Sequence, residues 1–434
     1  KHLLTESQLE ADKAELRAAR ALFYFYTMDL FGRIPIVTNS SASADKVKQS
    51  SRSEAFRFII DELQTSVPLL STDHSSMEGN YYSRITRPVV YFLLAKMLIN
   101  AEIYADDDWT DSVVPDGKAM TVIVDGEMMN AWEACIAYCD KVIASKVEEA
   151  RQDNMRYDGL YPLIGNQKEN ATAETHEAYN RIFGEGNSTE SIFELQFNEN
   201  QQYNTIIPGY YGRATSPVGA ISAASFICDG ATGGNELFTK NDLRAVENFN
   251  AKSTSFYPIQ KYVVSSFDNQ DRATYITREL TNWIFYRLTD VMLLEAEALV
   301  QRHQGDEQDM RQAFGLVTSV YNRANIGQAA KDTMTFESFN SYAKMEALVL
   351  QERQRELMFE GKRWFDLVRK ARREGTNSAM LDLAKRKYTY PDAVKSKWIK
   401  PDMLYFPINE DELKRNLLLR QNPGYDMGET IKRN

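Results

Sequence analysis

Cysteine, histidine, positive charge and long apolar runs are all in short supply in this chain, and each shortage removes a class of protein. Three cysteines in 434 residues cannot form a disulfide framework. Cys135 and Cys139 lie four apart on a predicted helix, where they suit small buried apolar positions better than a bridge, and Cys228 stands alone. The four histidines, His2, His74, His176 and His303, are isolated and show no ligand spacing, so they read as surface residues rather than metal ligands or general bases. No G-x-S-x-G, HExxH or glycine-rich phosphate loop is present. With 61 acids, a carboxylate pair for glycoside hydrolysis stays open. The acids outnumber 51 basic residues and give a net charge of −10, which argues against nucleic acid as a partner. No stretch reaches the roughly 18–20 apolar residues needed to cross a bilayer, and the best candidate, 89–101, is broken by Lys96. The sequence starts at Lys1 without an initiator Met or an apolar leader, which reads as a leader removed or not shown.

What is present begins with 43% hydrophobic residues, enough for a large core. The most informative stretch is 351–373, QERQRELMFEGKRWFDLVRKARR. At helical period, Met345, Leu348, Val349, Glu352, Glu356, Phe359, Glu360, Arg363, Trp364, Leu367 and Val368 fall on or beside one stripe, so three carboxylates interrupt an apolar face. A buried carboxylate costs several kcal/mol without a partner, so the spacing predicts a buried ionic lattice, with Arg353, Arg355, Arg363 and Arg369 as its cations. Gly361 inside the pattern predicts a kink or a close backbone approach.

ELMFEGKRWFDLVR closely resembles the C-terminal signature of the SusD/RagB-like family of Bacteroidetes outer-membrane lipoproteins. Four further segments resemble the same family in the same order: 14–37 (AELRAARALFYFYTMDLFGRIPIV), 83–104 (SRITRPVVYFLLAKMLINAEIY), 286–300 (YRLTDVMLLEAEALV) and 405–425 (YFPINEDELKRNLLLRQNPGY). The resemblance implies a mainly α fold of stacked TPR-like helix pairs forming a right-handed scaffold. It also implies an acylated, surface-exposed lipoprotein of the outer membrane, preceded by a further N-terminal stretch carrying part of the glycan surface. Its implied role is to capture oligosaccharide or polysaccharide and deliver it to a TonB-dependent SusC-like transporter, without catalysis, metal or cofactor. The alternatives are a peptide-binding RagB-type lid or protein scaffold and, third, a glycoside hydrolase.

The residues themselves give the same outline. Thr5 with Gln8 and Ser51 with Glu54 are capping-box spacings that open helices over 6–31 and 52–67. Further helices are predicted from Pro88 to about Tyr104, over 129–145, 287–302, 308–325 and 341–371. Leu9, Leu16, Ala19, Phe23, Tyr26 and Leu30 form the expected apolar face of the first helix, and Phe56, Ile59, Ile60 and Leu63 that of the second. Such pairs bury their faces by stacking. The chain divides into helical hairpins over 1–146, a loop-rich cap over 147–280 and a C-terminal helical region over 281–434. Within the cap, 191–197 and 257–264 read as short strands.

The cap is where binding chemistry is expected, because loops on a rigid frame carry function. Residues 198–217, NENQQYNTIIPGYYGRATSP, combine tyrosines with amides and hydroxyls. A pyranose lies with its C–H face on an aromatic ring while polar groups bond its hydroxyls. Tyr203, Tyr210 and Tyr211 are the proposed platforms, with Asn200, Gln202 and Arg213 as polar partners. Tyr81, Tyr82, Trp109 and Tyr257 are secondary candidates, and Trp283 is expected in the core. Asp106, Asp107, Asp108 and Asp111 offer oxygen ligands for calcium, but without EF-hand order they read as a solvated loop.

Overall fold

The computed structural model describes residues 4–76, 79–111, 113, 116–153, 155, 157, 159–165, 178–183, 188–197, 237–238, 242–244, 261, 282–325, 328–378, 380 and 404–425. In chain order its elements are α1 (Glu6–Phe31), β1 (Ile34–Pro35), β2 (Gln49–Ser50), α2 (Arg52–Ser66), α3 (Arg87–Leu98), α4 (Ala101–Tyr104), β3 (Thr121–Val124), β4 (Glu127–Asn130) and α5 (Ala131–Gln152). There follow α6 (Ala178–Phe183), β5 (Ser191–Leu195), β6 (Trp283–Arg287), α7 (Leu288–Arg302), α8 (Glu307–Ala324), α9 (Gln328–Thr333), α10 (Tyr342–Glu356), α11 (Arg363–Glu374) and α12 (Glu410–Arg415). Three two-stranded antiparallel ladders, β1 with β2, β3 with β4 and β5 with β6, are its sheets among the described residues. The described residues group into two packing units. One draws on Lys1–Leu70, Leu93–Ala134 and Trp364–Asn434, the other on Ser71–Phe92 and Cys135–Arg363.

In the first unit α1 packs along α2. Both begin where the caps direct: the Thr5 and Ser51 side chains accept from the backbone N–H groups of Gln8 and Glu54, and the Gln8 and Glu54 side chains bond back to the cap N–H groups. The buried face of α1 differs from the expected one. Ala14, Ala18, Ala21, Phe25 and Met28 are inward, whereas Leu16 and Phe23 stand 71% and 72% exposed, with Leu9 also exposed. Three of the five inward residues are alanines, which let a neighbouring helix approach the α1 backbone closely, so close packing, not side-chain size, selects the face. Gly32 ends α1 at φ 71°, and a Cβ there would lie 2.8 Å from Cη2 of Trp109. A second cluster gathers Trp109, Leu367, Val368, Ala371, Met380, Leu404 and Tyr405, with Trp364 partly buried against it.

In the second unit α7 is buried along its whole length except Arg302, its acids Asp290, Glu295 and Glu297 included. It packs against α8 and α10, which also pack on each other. The helix predicted over 341–371 is broken: α10 stops at Glu356, Phe359 and Gly361 take φ 66° and 74°, and α11 starts at Arg363. Nothing lies within 4 Å of a Cβ built on Gly361, so backbone conformation, not crowding, places glycine there. The helix predicted through Tyr104 also divides, because the Asn100 side chain donates to the Lys96 carbonyl at 2.8 Å and interrupts the turn between α3 and α4.

Candidate functional site

The primary candidates Tyr203, Tyr210, Tyr211, Asn200, Gln202 and Arg213, together with Tyr257, lie outside the described residues. Among the described residues of the same packing unit, the densest polar arrangement is a cluster of buried charge around Glu356.

Glu356 closes α10 and is the hub. Its carboxylate accepts from Arg287 Nη1 at 2.7 Å, Arg244 Nη1 at 3.1 Å, Tyr179 Oη at 2.8 Å and Arg323. One turn back, Glu352 accepts from Arg244 Nη1 at 2.6 Å and Arg355 Nε at 2.8 Å. One turn on, Glu360 accepts from Arg287 Nε and Nη2 at 2.8 and 2.7 Å and from Lys261 Nζ at 2.6 Å. Asp242 pairs with Arg244 at 2.7 Å and Glu190 with Arg323 at 2.6 Å. Burial alone would push the Glu356 carboxyl up, but Arg323, Arg287 and Arg244 together hold it well below the usual carboxylate range. Burial lowers the Lys261 ammonium to about 8 against the opposing pull of Glu360.

The three glutamates were legible as a buried ionic row, but three of the four arginines assigned to them serve elsewhere. Arg355 does bind Glu352, whereas Arg353 pairs with Asp290 at 2.9 Å, Arg363 donates to the Leu350 carbonyl at 3.2 Å and Arg369 pairs with Asp366 at 2.8 Å. The cations that complete the row, Arg244, Lys261, Arg287 and Arg323, come from distant segments. The only sequence sign of Arg287 and Arg323 is a cation at the edge of an apolar helical block. Arg244 and Lys261 carried none.

At the root of 198–217 a second network forms. The last described residue before it, Phe197, donates its N–H to Asn282 Oδ1 at 3.1 Å, and Asn282 Nδ2 donates to Glu194 Oε1 at 2.9 Å and Tyr82 Oη at 3.0 Å. Burial raises the Glu194 carboxyl although Asn282, Ser191 and Tyr82 bond it. Tyr82 is half-buried in this network, and neighbouring Tyr81, also half-buried, carries the Arg84 guanidinium 5.4 Å from its ring centre. Trp109 differs. It is 1% exposed, with the Arg52 guanidinium 4.5 Å and the Tyr405 ring 5.2 Å from its ring, so its faces are filled by core neighbours and offer no platform. Trp283 is partly buried against the cluster of Tyr179, Ile182, Phe183 and Ile284.

The aspartate run is spent on the fold. Asp106 pairs with Arg372 at 2.6 Å, Asp107 accepts from Ser53, Asp108 from Thr110 and Asp111 from the Val113 N–H. Among the described residues no group of three or more His, Cys, Asp or Glu is placed to hold a metal ion. His74 bonds Glu149 and His303 bonds Asp309, each at 2.9 Å through Nδ1. Cys135 and Cys139 are buried free thiols, as their spacing suggests. No described helix is long and apolar enough to cross a membrane.

Comparison with known proteins places this architecture. The SusD-like protein P38 of Formosa agariphila is 37% identical over 90 residues, 20% of this chain and 17% of its own length. The starch-binding protein SusD of Bacteroides thetaiotaomicron is 24% identical over 160 residues, 37% of this chain and 26% of its own. The chain thus matches about a quarter or less of the length of these curated relatives. Among solved structures, a SusD superfamily protein from Bacteroides thetaiotaomicron superposes with a TM-score of 0.63 at 18% identity, covering 97% of this chain and 80% of that one. Another from Parabacteroides distasonis gives 0.61 at 21% identity, covering 98% and 81%. At such identities the likeness is one of fold, and it bears out the helical, TPR-like architecture read from the sequence. The SusD family model matches residues 149–425, well over half of the sequence, and the chain therefore belongs to the SusD family.

Proposed function

We propose that this protein is a surface-exposed glycan-binding lipoprotein of the outer membrane that captures oligosaccharide and hands it to a TonB-dependent SusC-like transporter. It acts by binding, without making or breaking bonds. The observation that carries this reading is the family match across 149–425, and the starch-binding relative supports a glycan over other ligands. The stretch 198–217 supplies the right chemistry, with Tyr203, Tyr210 and Tyr211 as stacking surfaces and Asn200, Gln202 and Arg213 as hydrogen-bonding partners. The anchorage of Phe197 on Asn282 supports the same role: a binding segment is useful when its point of departure is held in place.

Affinity electrophoresis through a panel of neutral and acidic polysaccharides tests the reading. Retardation by at least one polysaccharide, with no release of new reducing ends, is the expected result. Retention of peptide pools with no polysaccharide retarded would overturn the glycan assignment, and new reducing ends would overturn the non-catalytic one. Co-purification of the protein from detergent-solubilised outer membrane with a TonB-dependent transporter tests the handover.

A further inference from the structure

Arg33, Lys48 and Arg420 surround one cleft of about 460 Å³ in the first unit, together with Gln49, Ser50 and the exposed Leu417. Among the described residues no acid lines it, in a chain whose net charge is −10. Like charges gathered in one concavity repel, and a fold tolerates them when something holds them there. Here the clamps are neutral amides. Gln49 Nε2 donates to the Arg33 carbonyl at 3.3 Å while Gln49 Oε1 accepts from the Arg420 N–H at 2.8 Å, so one side chain fixes both arginine backbones. Asn416 Nδ2 donates to the carbonyls of Ala44 and Val47, each at 2.8 Å, tying the segment before Lys48 to the turn before Arg420. The β1–β2 register, Ile34 opposite Ser50 and Pro35 opposite Gln49, joins the third wall.

Among the described residues no carboxylate pairs with Arg33. Its Nη2 donates to the Gln421 carbonyl at 3.0 Å, its guanidinium lies 5.4 Å from the Trp109 ring centre, and its Nε is buried with no hydrogen-bond partner. Burial, and secondarily the facing charge of Arg420, depress its pKa, the reverse of what a counter-ion does. We propose that this cleft binds a small organic molecule carrying a sulfate or phosphate ester, whose oxyanion is held by Arg33, Lys48 and Arg420. A sulfate or phosphate ester presents paired oxygens to a guanidinium fork and a third terminal oxygen to a further cation, one acceptor more than a carboxylate offers to three converging cations. The volume lies in the range of small-molecule pockets and exceeds what a bare ion fills, which leaves room for an organic body beside Leu417 and Leu418. The site does not depend on whether 198–217 binds glycan.

Isothermal titration calorimetry at low ionic strength tests this, with glucose 6-sulfate and glucose 6-phosphate as probes and glucose and inorganic phosphate as controls. At least one ester is expected to bind saturably and at least tenfold tighter than either control, and to raise the melting temperature. Lys48 and Arg420 are both exposed, so the double variant Lys48→Gln, Arg420→Gln is expected to melt as the wild type does without ligand. It should bind the ester at least tenfold more weakly and lose the ligand-induced stabilisation. Absence of saturable ester binding, equal affinity in the double variant, or inorganic phosphate binding as tightly as the esters overturns the proposal. So does binding to vesicles of anionic lipid with neither ester bound.

Discussion

Glu356 Oε1 and Arg287 Nη1 meet at 2.7 Å with both side chains fully buried, joining the end of α10 to the end of β6. Isolated burial of such a pair is seldom net stabilising, because the Coulomb gain barely offsets desolvation. Its value is in specificity: Arg287 also bonds Glu360, and Glu356 also takes Arg244 and Arg323, so the charges satisfy each other only in one arrangement of segments. Glu356→Gln removes the hub charge and leaves three guanidiniums under-compensated, with an expected loss of about 3–5 kcal/mol in chemical denaturation. The depressed Glu356 pKa adds a sign. Its contribution is present above the ordinary unfolded carboxylate value and disappears as pH falls through the folded one. Wild type should therefore lose stability on acidification more steeply than the variant, and parallel pH curves would contradict the assignment.

Glu295 predicts the opposite slope. Burial, and then the charge of Asp140, push its carboxyl up to about 8 from 4.5, against the smaller pulls of Gln312 and Arg302. The folded state thus keeps a proton that the unfolded state releases, so the Glu295 contribution to stability is fully present below about pH 4.5 and is lost as pH rises to 8, by roughly 4–5 kcal/mol in full. Glu295→Gln preserves the acceptor for Gln312 Nε2 but removes the titration. Denaturation midpoints of the variant are expected to flatten between pH 5 and 8. At pH 8 it should exceed wild type by about 1–3 kcal/mol, after the cost of one unpartnered amide donor. A wild-type curve already flat in that window would refute the buried-acid reading.

Two glycines separate strain from crowding. Gly32→Ala forces a side chain into φ 71° and sets its Cβ 2.8 Å from a buried Trp109 atom, so about 2 kcal/mol or more should be lost. Gly361→Ala meets the backbone restriction at φ 74° with open space around it, so the loss should stay near 1 kcal/mol. Thermal melts of the two variants give the order, and an equal or reversed order would contradict the Trp109 packing.

Local chemistry explains what the sequence made readable. The starts of α1 and α2 are written in four residues each, Thr5 to Gln8 and Ser51 to Glu54, and need no tertiary partner. The burial of Glu352, Glu356 and Glu360 was equally plain, because carboxylates recurring along an apolar stripe are carried inward with it. Their partners were not, since Arg244, Lys261, Arg287 and Arg323 approach from 33 to 112 residues away in sequence. The α1 face failed for a related reason. Apolar periodicity favours Leu16 and Phe23, whereas the buried face is chosen by how closely a neighbouring helix can approach Ala14, Ala18 and Ala21. Among the site candidates, aromatic character alone could not separate Trp109, enclosed by Arg52 and Tyr405, from the half-buried Tyr81 and Tyr82.

That separation yields the test of the binding segment. If Tyr210 and Tyr211 stack against sugar rings, Tyr210→Ala and Tyr211→Ala together should weaken retention by the cognate polysaccharide at least tenfold, about 1.4 kcal/mol. The melting temperature should barely move, because residues that stack on a ligand contribute to binding rather than to the core. Trp109→Ala is the contrasting variant. Loss of a fully enclosed indole should cost about 3–5 kcal/mol of stability while affinity in the surviving folded fraction is retained. Affinity electrophoresis and thermal melts on the two proteins resolve the pair of outcomes. Unchanged retention in the tyrosine double variant, with wild-type melting, would move the glycan site away from 198–217.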